Sequence, residues 1–480
     1  MYYPSLSQFK EKAKLGNLIP VYRTICADME TPVSAFKKID RYPSSFLLES
    51  VVGGERIARY SFLGTNPSKI ICPESDNKED PLNKIRKEMS QYKLVPVEGL
   101  PRFFGGAVGY FSYDQIRHLE SIPSIAPDVL KIPDYIFFIT DTLLIFDHLT
   151  NQIIIVSNAF IDGPCEQIYK KAVENIEKIV DLLSSPLSGV KCLEPGDLKE
   201  LPAFESNFKK DDFKEAVVKI KEYIAAGEII QAVLSQRLST RVKCDPFDLY
   251  RAIRLINPSP YMYYLKHHDL KIIGSSPELL VRLEDGMVYE RPIAGTRKRG
   301  ESEAEDEALA EELLADPKER AEHIMLVDLS RNDVGRVCEY GTVHVPDEEL
   351  MTIERYSHVM HIVSQVKGKL CDGKDAFDLF AACFPAGTVS GAPKIRAMEI
   401  IEEIEPSRRG PYAGSVGYFS FSGNMDTGIT IRTLVLQGDT AYIQAGAGIV
   451  ADSDPEKEYE ETLNKARAVI EAVRLAEGGG

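Results

Sequence analysis

Two stretches of this sequence each carry a pair of glutamates three residues apart. In PKERAEHIMLVDLSRNDVGRV (317–337) they are Glu319 and Glu322. In the last segment, EKEYEETLNKARAVIEAVRL, which follows a cap-like start at Asp452, Ser453 and Pro455, they are Glu458 and Glu461. This spacing puts both members of a pair on one helix face. Two such faces offer hard oxygen ligands of the kind Mg²⁺ accepts while keeping waters and substrate oxygens in its shell. The same spacing equally describes solvated helix surfaces in a chain with 73 acidic residues, so spacing alone leaves both readings open. Apolar Tyr459, Leu463, Ala466, Ile470 and Val473 predict which side of the last helix is buried.

A second kind of chemistry is suggested by glycine and arginine. QAGAGIV (444–450) sets Gly446 and Gly448 just after an expected strand, where backbone N–H groups can approach an anion. Arg432, in TIRTL, could grip a carboxylate through two N–H groups. A glycine-rich hairpin exit with a surface arginine fits the same residues. No GxxxxGK[ST] phosphate loop occurs. FPAGTVSGAPKIRAMEII (384–401) reads as an ordered loop leading into a helix, either part of a site or a connector. His361, in the apolar RYSHVMHIVSQV, reads as a buried histidine, structural or chemical.

These groups need elements to hold them. A helix is expected over 211–226, with Phe213, Val217, Ile220 and Ile224 at helical spacing and Gly227 as its stop. Strands are expected around Ile272 and Val281 and over 415–421, 429–436 and 441–444, with QGD turning between the last two. Upstream, YIFFITDTLLIF (135–146) is strand-like and 165–182 helical. Residues 183–208 are rich in Ser, Pro and Gly and lack periodicity. The division that follows is an N-terminal region over 1–195, a linker over 196–207 and a catalytic domain over 208–472. Helices mixed with antiparallel hairpins imply an α+β fold.

The 480-residue length calls for two packed units or one large composite domain. A net charge of -16 argues against nucleic acid and anionic membranes as partners, and obliges any anion site to build its own positive potential. Eight cysteines without CxxC or Cys/His clustering point to neither a disulfide framework nor zinc; Cys338 and Cys383 read as small buried hydrophobes. The start, MYYPSLSQFKEK, has no signal-peptide pattern, and no apolar run approaches the roughly 20 residues of a membrane span, so a cytoplasmic location is expected.

The ordered set GSSPELL (274–280), RPIAGTRKRG (291–300), EHIMLVDLSRND (322–333), RYSHVMHIVS (355–364), GTVSGAPKIRAMEII (387–401), PYAGSVGYFS (411–420), IRTL (431–434), QAGAGIV (444–450) and EETLNKARA (460–468) closely resembles the chorismate-utilising enzyme family. The resemblance implies mixed or antiparallel sheets packed face to face and flanked by helices. It implies Mg²⁺ on Glu322 and Glu461, with Glu319 and Glu458 nearby, gripping the ring carboxylate of chorismate. Tyr412, Arg432 and the backbone of Gly446, Ala447 and Gly448 would take the enolpyruvyl carboxylate, while Gly274 and Ser275 line the pocket. Glu278 resembles the acid that protonates the departing C4 hydroxyl; His361 and Thr388 resemble residues beside the reacting ring.

Two positions divide the family by product. Aminodeoxychorismate synthases have a nucleophilic lysine in PIKGT, where this chain has Ala294. Isochorismate and salicylate synthases activate water with a lysine where this chain has Gln231; ammonia needs no such base. SSFLLESVVGGERIARYSFLG (44–64) and NPSPYMYYL (257–265) resemble the anthranilate synthase component I branch, in which Ser50 and Pro260, Tyr261 and Met262 help to bind tryptophan as feedback inhibitor. A strand end and a turn would explain the same residues. The expected activity is a lyase reaction from chorismate and ammonia to anthranilate and pyruvate, the first step of tryptophan biosynthesis. The alternatives are an aminodeoxychorismate synthase component I of the folate pathway and a silent regulatory homologue. No GxCxG turn with partner His and Glu is present, so a separate glutamine amidotransferase subunit is expected to supply ammonia.

Overall fold

A computed structural model describes residues 1–51, 59–74, 79–187, 189–193, 203–356 and 359–478. Residues 52–58 of the 44–64 segment, 196–202 of the expected linker and 357–358 of RYSHVMHIVS lie outside the described residues.

Strand alternation decides the layers. In the strand Gln152–Phe160, Ile153 and Ile155 join one core, whereas Ile154 and Val156 join another. Leu144 and Phe146 part in the same way from Leu143 and Ile145. Both faces of these strands are therefore buried, which explains their nearly unbroken apolar sequence. The core holding Ile154 and Val156 lies between two sheets, with Phe62 and Tyr263 from one and Tyr110, Phe138 and Tyr418 from the other. Helices cover the outer faces. Ala466, Val469 and Val473 of the helix Pro455–Gly478 pack on the larger sheet, and Phe377 and Phe380 of the helix Ala376–Cys383 pack on the smaller. Every paired strand in these sheets is antiparallel, and the whole is α+β.

Among the described residues the larger sheet has twelve strands and the smaller eight, and a third sheet has three, Ile293–Lys298, Val359–Val363 and Thr352–Arg355. Strands from both sides of the 196–207 segment share both large sheets. Met262 of Tyr261–His267 stands opposite Glu49 of Ser44–Glu49, and Ser415 of Ser415–Ser420 stands opposite Phe111 of Gly106–Phe111.

Several expected elements are divided because the chain changes sheet within them. The run 135–146 is two strands: Tyr135–Thr140 in the smaller sheet and Thr142–Asp147 in the larger. The run 429–436 likewise contains the end of Met425–Ile429, a crossing, and Thr433–Gln437. The helices fall close to expectation, at Cys165–Leu183, Lys210–Ala225, Pro317–Gly335 and Pro455–Gly478. The cap of the last is Asp454, which accepts the N–H groups of Glu456 and Lys457 at 3.0 Å, while Ser453 accepts from Val450. Its most buried stripe is Thr462, Ala466, Val469 and Val473, with Tyr459, Leu463 and Ile470 half-buried beside it. Cys338 and Cys383 are buried free thiols. Among the described residues, no helix is long and apolar enough to cross a membrane.

Candidate active site

Two sheet-to-sheet crossings lie side by side. Pro277 and Glu278 link Leu270–Ser276 of the larger sheet to Leu279–Glu284 of the smaller. Thr430–Arg432 makes the return link, from Met425–Ile429 to Thr433–Gln437. Backbone bonds join them: the Ser275 N–H donates to Arg432 O at 3.3 Å, and the Ile429 N–H donates to Glu278 O at 3.0 Å. Arg432 takes a left-handed backbone, φ 48°, as the chain turns. Polar side chains that would interrupt a strand are thus gathered at a break in both sheets.

Glu278 is 8% exposed, and burial pushes its carboxyl up to about 7, against the opposing pull of Thr388, Lys465 and Arg432. It is an acid that titrates near neutral pH, so a substantial fraction of the chains carry its proton there. Thr388, on the turn Gly387–Val389, faces it, although the Thr388 Oγ1 is buried without a well-formed hydrogen bond. The Arg432 guanidinium makes no hydrogen bond or ion pair among the described residues; burial lowers its pKa, and Glu278 and Tyr356 partly offset this. It is a half-buried cation available to an anion.

The glycine motif stands within a strand, Thr440–Ile449, and not after it. Gly446 and Gly448 pair with Ser235 and Val233 on one side, while the partner on the other side, Thr433–Gln437, reaches only as far as Ile443. Among the described residues, one edge of the motif is therefore free of a neighbouring strand. A Cβ on Gly446 would stand 2.7 Å from Tyr412 Oη, and one on Gly448 would stand 2.4 Å from Gln231 Nε2. The two glycines let a phenol and an amide close over the backbone, and Ala447 points into a separate core. Gly274 makes room for the Tyr263 ring, 2.2 Å from where its Cβ would be. The Ser275 hydroxyl donates to Asn257 O, and Ser275 is wholly buried.

His361 lies on Val359–Val363, and its Nδ1 is 2.8 Å from Gly295 O and 3.1 Å from Thr296 Oγ1. Donation to the carbonyl puts the proton on Nδ1 and leaves Nε2 as an acceptor. Burial lowers the pKa of the ring, so it is neutral at pH 7. The Tyr356 ring packs edge-on against it, with centroids 5.5 Å apart. Ala294 is buried in the neighbouring strand, opposite Ile362.

The carboxylate pairs approach from two helices. Burial pushes Glu322 above the ordinary carboxyl range, with Glu319 and Glu461 adding to the shift and Lys318 and Lys465 opposing it. Burial also raises Glu458, with Glu461 adding and Ser453 opposing. Glu461 is paired with Lys465 at 2.7 Å, and Glu319 with Arg297 at 3.3 Å. Lys465 also donates to Gly446 O at 3.0 Å, linking the carboxylates to the glycine strand. Among the described residues, no three His, Cys, Asp or Glu side chains are gathered closely enough to form a complete protein cage for a metal. Glu319, Glu322 and Glu458 are half-buried and Glu461 is exposed, and oxygen donors of this kind are those Mg²⁺ accepts alongside waters.

A second cavity lies between the sheets. Ser50, Pro260, Tyr261 and Met262 line it together with Tyr418 and Arg282, and the Ser50 Oγ is buried without a partner among the described residues. The sequence reading did not single out Lys465, Tyr356 or Asn257. Lys465 stands in EETLNKARA four residues after Glu461, a helical spacing that offered a local signal; Tyr356 and Asn257 are brought in by tertiary contacts alone.

The crossing thus combines a buried acid, an unpaired arginine and an open glycine edge beside paired carboxylates. Residues 43–471 match the chorismate binding enzyme family, and the chain belongs to it. It is an enzyme of the chorismate-utilising kind. It is 50% identical over 492 residues to anthranilate synthase component 1 of Acetivibrio thermocellus, covering 99% of each chain, and 50% identical over 490 residues to that of Aquifex aeolicus, covering 98% of each. Its fold is similar to the crystal structure of anthranilate synthase component I from Streptococcus pneumoniae, with TM-score 0.78 and 38% identity over 93% of this chain and 98% of that one. The menaquinone-specific isochorismate synthase MenF of Escherichia coli shares the fold at 19% identity and TM-score 0.73, over 98% of this chain and 99% of that one.

Proposed function

We propose that the chain is the synthase component of an anthranilate synthase, converting chorismate and ammonia to anthranilate and pyruvate. The observation that carries the reading is Glu278, an acid whose hold on its proton burial raises to about 7 at the sheet crossing, beside Arg432, which is unpaired among the described residues. Chorismate is a dianion with a hydroxide-like leaving group, so its site needs cationic grips and a proton donor. Arg432, Tyr412 and the free edge at Gly446–Gly448 suit the enolpyruvyl carboxylate. Glu322 and Glu461, with Glu319 and Glu458 beside them, would hold Mg²⁺, which neutralises the ring carboxylate when bound.

In the amination step a C2–N bond forms while the ring double bonds shift and the C4–O bond breaks; the oxygen leaves as water with the Glu278 proton, and the new C2 ammonium gives up one proton to become the amine. A positioned acid of this kind is worth about 10²- to 10⁴-fold in rate. Aromatisation then removes the C2 hydrogen and breaks the C3–O bond, releasing pyruvate, and neutral His361 with a free Nε2 is suited to accept a proton there. Ala294 offers no nucleophile for a covalent route, and Gln231 is no base for water.

Ammonia is supplied by a separate glutamine amidotransferase subunit, a reading supported by the relatives' designation as component 1. The cavity at Ser50 and Pro260–Met262 takes tryptophan as feedback inhibitor, and the unpartnered Ser50 hydroxyl supports a polar ligand there. The cytoplasm is the proposed location. Incubation with chorismate, Mg²⁺ and ammonium, followed by chromatography, should yield fluorescent anthranilate; accumulation of aminodeoxychorismate or isochorismate would overturn the assignment.

A further inference from the structure

The Tyr412 phenol closes over Gly446, and behind it lies a guanidinium with no solvent access to speak of: Arg409 is 2% exposed. Its Nε donates to Glu405 Oε2 at 2.9 Å and its Nη2 to Glu405 Oε1 at 2.7 Å. Nη1 donates to Val389 O and Nη2 to Val233 O, both at 2.7 Å. Its Cζ lies 4.7 Å from the Tyr113 ring centre and 5.6 Å from that of Tyr412. Glu405 Oε1 in turn accepts the Ser235 N–H at 2.9 Å and its hydroxyl at 2.8 Å, and Ser235 is the residue opposite Gly446.

One buried ion pair therefore touches three separate parts of the site: the Tyr412 ring, the turn that carries Thr388, and the strand Gln231–Arg241 that pairs with the glycine strand. Removing a charge pair from water is costly, and apolar side chains would fill the same space with less penalty. Packing alone does not account for it. What apolar side chains cannot do is tie two backbone segments and a carboxylate to one planar fork while placing a cation against a phenol ring, where it favours the phenol as a hydrogen-bond donor.

We infer that Arg409 is a positioning residue for the carboxylate end of the substrate pocket, setting Tyr412 against Gly446 and locking that edge to the Thr388 turn. The inference rests on the proposed role of Tyr412 in holding the enolpyruvyl carboxylate. Lysine at 409 would keep the charge but lose the fork, and could not satisfy the same acceptors together.

The test is a double-mutant cycle of R409K and Y412F, with kcat and KM for chorismate measured in the ammonia-dependent reaction. Each single variant should raise KM by roughly ten- to a hundredfold, the range for a hydrogen bond to a charged group, with kcat nearly unchanged. If Arg409 acts through Tyr412, the double variant should have the KM of Y412F alone. Two factors that multiply, or a fall in kcat without a rise in KM, would overturn the inference and leave the role of Tyr412 standing. An unchanged KM in Y412F would overturn both. Should R409K not fold, E405Q takes its place in the same cycle, with the same absence of further effect expected on the Y412F background.

Discussion

Replacing Glu278 by glutamine separates the cost of the buried acid from its use. The ordinary carboxyl value is 4.5 and burial carries that of Glu278 to about 7. A pKa raised on folding means that the folded chain holds the proton more tightly than the unfolded one. The associated stability is fully present below about pH 4.5 and is lost as pH rises through about 7. At pH 9 the ionised, buried carboxylate should cost the folded state up to roughly 3 kcal/mol, at 1.36 kcal/mol for each pH unit. Glutamine is neutral throughout and nearly isosteric. E278Q should match the parent chain in urea denaturation at pH 4.5 and exceed it in stability at pH 9. Its anthranilate production, followed by fluorescence, should fall about 10²- to 10⁴-fold. A stability difference with no pH dependence would refute the account of the shift, and activity within tenfold of the parent would refute the role as acid.

G448A should raise KM for chorismate, because its Cβ would stand 2.4 Å from Gln231 Nε2 and must displace that amide; steady-state kinetics at saturating ammonia measure this. R432Q removes a charge that holds the Glu278 pKa down. It should therefore raise KM and move the alkaline limb of kcat, plotted against free ammonia, to higher pH. E461A should abolish Mg²⁺-dependent turnover, and activity that survives and still responds to Mg²⁺ titration would exclude Glu461 as a ligand. S50F should raise the tryptophan concentration needed for half inhibition while leaving uninhibited turnover intact, with calorimetry reporting the lost affinity directly.

Features set by neighbouring residues were legible in the sequence. Helix starts and stops, the paired glutamates on one face, and the glycine and arginine near the chain's end follow from spacing and local backbone preference. The ordered motifs added the family. What local pattern could not reveal is where the chain leaves one sheet for another. The apolar runs 135–146 and 429–436 and the segment around Glu278 read continuously because strands in both sheets are covered on both faces, so burial gives no sign of the crossing. Those crossings bring Glu278 beside Arg432, set the glycine motif inside a strand with one open edge, and seal Glu278 away from water. Side-chain type made a proton donor possible; only tertiary burial, which sets the cost of its charge, raises its hold on that proton toward neutral pH.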